Sequence, residues 1–256
     1  MANSPRFIHL RTHSEYSLLE GALRLKKLPG MCRDAGMPAL ALTDTNNMFA
    51  ALEFSVAMAG EGIQPILGCQ VDLAYVTPQP GERPRNPAPL VLLAQSEAGY
   101  ENLMKLNSCL YLDKGGALPQ VTLDELESHA GDLICLTGGP DGPVGCLLQG
   151  YQRPAAEELM QRLARTFGDR LYVELQRHPE EGGSPEKERL TERGFVEMAY
   201  AMGLPLVATN DVYFPKSEMY EAHDALICIA EGAYVDQQEP RRRLTGQHYF
   251  KTPAEM

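Results

Sequence analysis

The residues with the most chemistry in them stand at the start of the chain, in FIHLRTHSEYSLLEGA, residues 7–22. As an extended segment this stretch has a side-chain period of two, so His9, Arg11 and His13 project from one face. Two imidazoles with a guanidinium between them do not suit a hydrophobic core, and the face is expected to line a cleft. Histidines at every second position are a common way for a strand to offer metal ligands. Here the middle position is arginine, a permanent cation that opposes any metal ion beside it.

The elements that must position these groups read as an alternation of strands and helices. After the opening strand, 23–35 is helical around a start or break at Pro29-Gly30, and 39–43 is a short buried strand that delivers Asp44, Thr45 and Asn46. A helix over 49–59 precedes a long strand, 64–76, which carries Gln70 and Asp72. The Pro-rich stretch 77–89 reads as an excursion, followed by a strand at 90–94 and a helix over 96–112. Further strands fall at 133–137, 171–176 and 206–209, with helices at 123–129, 144–148, 155–167, 185–202 and 217–230; the tail, 234–256, has no clear period. Seven strands mostly alternating with helices favour a parallel sheet covered by helices, closed as a barrel or doubly wound. No GxGxxG follows the first strand, which weakens a dinucleotide-binding reading. His13, Asp44, Gln70, Gly139, His178 and Asp211 stand at the carboxyl ends of strands, the face that carries chemistry in barrels.

Composition narrows the class. A chain of 256 residues with 44% hydrophobic and 22% charged residues suits one large globular core. Its formal net charge of −11 repels a phosphate backbone, so the chain by itself is a poor nucleic-acid binder. Arg241, Arg242 and Arg243 are the local exception and read as a solvated loop. Six scattered cysteines without a CxxC pair point to a reducing cytoplasm rather than a disulfide framework or zinc ribbon. The amino terminus has no apolar signal core, and no run approaches membrane-spanning length, so no membrane partner is expected.

Five blocks in order, HLRTHSEYSLLEGA, LALTDTNNMFAALEF, GCQVDLAY, VLLAQSEAGYENLMKL and VATNDVYF, resemble the amino-terminal PHP (polymerase and histidinol phosphatase) region of bacterial DNA polymerase III alpha subunits. The resemblance covers nearly the whole chain and implies an α/β fold, a distorted seven-stranded β/α barrel forming a single domain over 1–256. It implies a longer polymerase chain, with 234–256 leading toward the next domain; the closing HYFKTPAEM reads as the start of another helix. Active members hold divalent metals in the cleft and hydrolyse phosphoesters. Of that ligand pattern this sequence keeps His13, Asp44, His178 and Asp211, and departs from it at Arg11, Thr45, Gln70, Pro89, Gly139 and Tyr213.

Two readings of the cleft follow. The four survivors could hold one weakly bound ion, or Arg11 could pair with Asp44 and Asp211 and fill the old metal position. The second is preferred, because one guanidinium in reach of two carboxylates forms charge-assisted hydrogen bonds unaided. No catalytic residue, metal or cofactor is then expected in this chain; magnesium would serve the full polymerase by resemblance. The resemblance also implies docking of the proofreading exonuclease subunit, contact with the rest of the polymerase chain, and DNA contact only through the full-length protein. The competing class is a metal-dependent phosphoesterase, including a 3′–5′ exonuclease or a free-standing histidinol-phosphatase-like enzyme. Of the other histidines, His9 and His223 read as packing or hydrogen-bonded residues, and His129 and His248 carry no signal. Ser14 and Ser17 lack the elbow or third partner of a nucleophilic serine.

Overall fold

The computed structural model describes residues 7–76, 85–112, 118–180, 185–237 and 241–256. Strands β1 (Ala39–Leu42), β2 (Gln64–Ala74), β3 (Ala88–Ala94), β4 (Val121–Thr122), β5 (Leu133–Leu136), β6 (Leu171–Gln176) and β7 (Leu206–Thr209) form one curled sheet. Its order is β1-β2-β3-β5-β6-β7, with β4 paired beside β2. Around it lie α1 (Leu28–Asp34), α2 (Ala51–Gly60), α3 (Glu97–Cys109), α4 (Leu123–Ser128), α5 (Pro143–Gln149), α6 (Arg153–Phe167), α7 (Glu186–Met202) and α8 (Tyr220–Glu231).

Period-two alternation sorts each strand between two environments. Cys69, Val71, Leu90, Leu92, Leu133, Cys135, Leu171 and Val173 join the large outer core under the helices. Their neighbours Val91, Leu93 and Leu136 share a smaller cluster with Ala41, Ile66, Tyr172 and Val207. Gln70, Glu174, Gln176 and Thr209 continue that second face toward the strand ends, where it becomes polar and lines the mouth. The helices follow the same logic. In α6 the residues Ala156, Leu159, Met160, Leu163 and Phe167 recur at helical spacing and are the buried ones. Ser96 caps α3, and Thr122 with Glu125 forms a capping box on α4.

The strand count agrees with the sequence reading, but the seven are not the same seven. The opening stretch is not a regular strand; its ladder consists of single bridges, Thr12 to Val212 and Ser14 to Leu23. One reason is that the Thr43 hydroxyl takes the Thr12 N–H at 2.9 Å, a bond that a ladder would give to a carbonyl. The stretch still closes the curl. Ala41 N–H donates to the His9 carbonyl and Thr43 N–H to that of Thr12, while His13 N–H donates to Val212 beyond β7. The seventh strand is instead the two-residue β4, too short to leave a periodic signal.

The sheet is also less parallel than expected. β3 runs antiparallel to both β2 and β5. Of the Pro-rich stretch 77–89, residues 77–84 lie outside the described residues, and Ala88 and Pro89 open β3 rather than continuing a loop.

The tail is more ordered than its lack of period suggested. Tyr249 bridges to Phe214, Phe250 N–H donates to the Phe214 carbonyl at 2.9 Å, and the Phe250 ring is buried with Leu23, Leu28, Phe54 and Met58. Phe250→Ala should therefore cost about 3 to 5 kcal/mol of stability, read as a lowered urea midpoint at unchanged slope. A loss below about 1 kcal/mol would show that the tail is not part of the cooperative fold.

Candidate functional site

The mouth of the barrel holds a buried guanidinium. Arg11 is 2% exposed; Nη2 donates to Gln70 Oε1 at 2.7 Å and Nη1 to the Gly138 carbonyl at 3.2 Å. Nε makes an ion-pair contact with Asp211 Oδ1 at 3.0 Å, and Nη1 lies 3.5 Å from Glu174 Oε1. Burial opposes the charge on Arg11, and the two carboxylates outweigh it. Burial alone would push the Asp211 carboxyl up, but Arg11, then His13, hold it well below the usual carboxylate range.

Gly138 can present its carbonyl here because it is left-handed, with φ +81°, and a Cβ there would stand 2.0 Å from the Pro89 oxygen. At Gly139 a Cβ would meet the Gln176 amide at 2.9 Å, so Gln176 fills the space that a side chain would need.

The expectation that Asp44 pairs with Arg11 is wrong. Asp44 accepts Ser14 N–H at 2.7 Å, the Ser14 hydroxyl at 2.8 Å and the Ser17 hydroxyl at 2.7 Å, and so clamps the turn after the opening stretch. Three donors from that turn thus occupy both oxygens of Asp44. Arg11's second carboxylate is Glu174, which the sequence reading missed. Its signal was present: LYVELQ places a carboxylate in an otherwise buried strand, at an inward position two residues before Gln176. Glu174 also accepts from Thr209 and Gln176.

The remaining candidates separate into two groups. His13 Nε2 meets Asp211 Oδ1 at 3.0 Å and its ring stacks on Tyr213 at 4.2 Å. Thr45 donates to Glu20, and Gln70 Nε2 reaches the Thr45 oxygen at 3.4 Å. Pro89 pairs in register with Asp72 on the cleft wall. His178 stands apart. Its Nδ1 meets Glu188 Oε1 at 2.7 Å, its ring stacks on His248 at 3.8 Å, and its buried Nε2 has no partner among the described residues. Of the four surviving ligand positions, His13 and Asp211 are the pair that bonds to each other.

The tail builds the cleft's outer wall, which sequence reasoning did not foresee. His248, read as carrying no signal, is buried against His178, with Nδ1 at 2.9 Å from the Asp211 carbonyl. Two of the three arginines in the run are not solvated either, while Arg243 is exposed as expected. Arg241 makes a bidentate pair with Asp224 at 2.6 and 2.7 Å. Arg242 reaches Glu20 at 3.1 Å and donates to the Tyr213 hydroxyl at 3.3 Å. Arg11, Glu20, Asp72, Lys187 and Arg242 are among the walls of a cleft of about 500 Å³. His9 and His223 fit their reading as hydrogen-bonded residues, on the Lys251 and Glu20 carbonyls at 2.8 and 2.6 Å.

A curled seven-stranded β/α sheet with its polar groups gathered at one mouth is the architecture of a PHP barrel, and the PHP domain family matches residues 9–178. The chain belongs to that family. Its relatives are DNA polymerase III alpha subunits: that of Caulobacter vibrioides is 45% identical over 257 residues, and those of Rickettsia bellii and Treponema pallidum are 36% and 37% identical. The chain is covered to 100%, 98% and 98% by these three, but spans only 22%, 20% and 21% of their lengths. Among solved structures, an amidohydrolase from Chromobacterium violaceum matches with a TM-score of 0.50 at 16% identity, covering 80% of this chain and 87% of that one, a likeness of fold alone.

The family implies a metal cluster, and the donors present do not fit one. Among the described residues no three His, Cys, Asp or Glu side chains are grouped to hold an ion. Asp211 faces Arg11 and His13, and Asp44 is taken up by serine donors.

The imidazoles at the joints of this site carry a pH signature. Burial pushes His9 down to about 4, and it also lowers His223 and, strongly, His248. These rings are neutral in the fold, whereas an unfolded chain takes up their protons below about 6.5. Stability is therefore complete above pH 6.5 and falls between there and pH 4, with His9 alone contributing on the order of 3 kcal/mol at the lower end. Thermal melting across that range should show the loss, and His9→Gln should make it shallower, with His223 and His248 accounting for what is left; a flat wild-type profile would contradict the assignment.

Proposed function

We propose that this chain is the amino-terminal PHP domain of a replicative DNA polymerase alpha subunit, and that it serves as a scaffold with a degenerate metal site. DNA synthesis, with its magnesium, belongs to the remainder of a longer cytoplasmic chain. The single observation that carries the scaffold reading is Arg11 buried between Asp211 and Glu174. A dication about 5 Å from that guanidinium, at an effective dielectric near 20, would meet a repulsion of about 6 kcal/mol. That corresponds to roughly four powers of ten in affinity.

What the residues do without a metal is structural and electrostatic. Arg11 sets one positive charge between two carboxylates, buried at the mouth of the barrel. Gln70 and the Gly138 carbonyl each accept one of its N–H groups, and His13 orients Asp211 from the other side. A hydrolase of this family would have to hold its ions, polarise a phosphoryl oxygen and generate hydroxide. Gln70, Gly139 and Tyr213 offer a neutral amide, no side chain and a phenol for those tasks. The Tyr213 phenol is pushed up by burial and by Asp211, so it is a poor source of phenolate.

The purified protein should contain no stoichiometric metal and show no phosphatase or exonuclease turnover in manganese or zinc. Arg11→His should not restore turnover, because the other ligands are still lacking. Bound metal with turnover in the unmodified chain would overturn the scaffold reading in favour of an active phosphoesterase.

Without internal hydrolysis, proofreading must come from elsewhere. We therefore expect the separate exonuclease subunit to dock on the outer surface of the barrel, without DNA, in keeping with the acidic charge. Co-elution with the cognate exonuclease at micromolar concentration is the expected outcome; separate elution would count against it.

A further inference from the structure

The turn after the opening stretch runs into a segment whose charge is opposite to that of the chain. Residues 21–33 contain four bases, Arg24, Lys26, Lys27 and Arg33, and no acid, although acids outnumber bases 34 to 23 overall. The fold sorts this segment by side. Leu23, Leu25, Leu28 and Cys32 are buried in the core shared with Phe54 and Met58 of α2, and the four cations are exposed. Arg33 pairs with Glu61 at 2.5 Å. Among the described residues, the side chains of Arg24, Lys26 and Lys27 form no ion pair or hydrogen bond. Local structure does not account for these charges. Lys27 is the N-cap of α1 and makes no side-chain bond there, at a position that favours Ser, Thr, Asp or Asn and disfavours a cation. Lys26, Lys27 and Arg33 border an open groove of about 550 Å³ between α1 and the end of α2, together with Asp34 and Glu61. Glu61 is engaged by Arg33, which leaves Asp34 against Lys26, Lys27 and the adjacent Arg24.

We propose that this basic face, Arg24, Lys26 and Lys27 beside the groove, is an accessory contact for the phosphodiester backbone of the DNA on which the full-length chain acts. The inference rests on the reading of the chain as part of a DNA polymerase. Chemistry selects the ligand. Lysine is depleted from protein–protein interfaces, where its flexible and strongly hydrated ammonium gains little on burial. A phosphate backbone takes lysine as a point charge, without dehydrating it fully, and releases counterions in return. The net charge of −11 makes the domain a poor DNA binder by itself, and the patch need not act alone. DNA held by the remainder of the chain meets it at a high effective concentration, so a few unpaired cations suffice to add affinity.

The test measures binding of primed duplex and of single-stranded DNA to the full-length polymerase chain by fluorescence anisotropy across a salt series. Each phosphate contact adds about 0.9 to the steepness of log affinity against log salt on a duplex, and about 0.7 on a single strand. Lys26→Gln with Lys27→Gln should therefore lower the duplex slope by about 1.8, so that the wild-type advantage shrinks about tenfold from ~50 to ~200 mM salt. A loss of slope on one form of DNA alone also supports the proposal and identifies the form that lies on the patch. Both lysines are exposed, so the melting temperature should not move. As a second readout, a benzophenone-bearing residue in place of Lys27 should cross-link to DNA on irradiation. An unchanged slope, an equal loss from Arg189→Gln with Arg193→Gln on α7, or a cross-link from position 27 to protein instead of DNA would each overturn the proposal. A full-length chain that binds neither form of DNA overturns the polymerase reading as well, whereas a DNA-binding chain with an unchanged slope overturns this proposal alone.

Discussion

A full positive charge with almost no access to water sits at the mouth of this barrel, and the groups around it are arranged to satisfy it. The Arg11 guanidinium draws on Asp211, Glu174, the Gln70 amide and the Gly138 carbonyl. Each partner is itself held. Thr209 and Gln176 donate to Glu174, His13 donates to Asp211, and the left-handed backbone at Gly138 aims its carbonyl inward. Breaking such a buried cluster from one side leaves uncompensated charge, at about 3 to 5 kcal/mol, so its members are mutually dependent. The cost of desolvating Arg11 is the reason the surrounding groups are so fully committed.

Closure of the barrel depends on two irregular segments rather than on strands. The opening stretch bonds both β1 and the residues after β7, and the tail adds Tyr249 and Phe250 beside Phe214. Where side chains replace the ladder, imidazoles are used: His9 on Lys251, His248 on Asp211 and His223 on Glu20, each to a backbone carbonyl. A neutral imidazole can donate one proton and remain apolar enough to pack, which suits a joint buried between irregular strands. The same choice makes those joints sensitive to acid.

Electrostatic balance in the cleft is local. Arg11 faces Asp211 and Glu174, Arg242 pairs with Glu20 and Lys187 with Asp141, while Arg243 and Asp72 also line the cleft, so the charges there nearly cancel. The chain's overall charge of −11 therefore lies mostly on the outside of the barrel, where it repels nucleic acid. A domain so charged is poorly suited to a bare phosphate backbone.

Sequence alone determined the class of fold and most of its elements. Hydrophobic periodicity is local, so the strand at 171–176 and the helices near 155–167 and 185–202 could be read directly, as could the gathering of polar residues at strand ends. It also showed that Arg11 stands where a neighbouring histidine pattern would invite a metal. Partner choice was another matter. Asp44 is taken by Ser14 and Ser17, close by in space through the turn, while Arg11 finds Glu174 at a separation of 163 positions. Nothing in local pattern ranks those alternatives, because the energy of a buried ion pair depends on distance and desolvation, which exist only once the sheet has curled. The antiparallel β3, the ordered tail with His248 stacked on His178, and the arginines bonded to Asp224 and Glu20 belong to the same category. They were decided by which surfaces the closed barrel left to be covered.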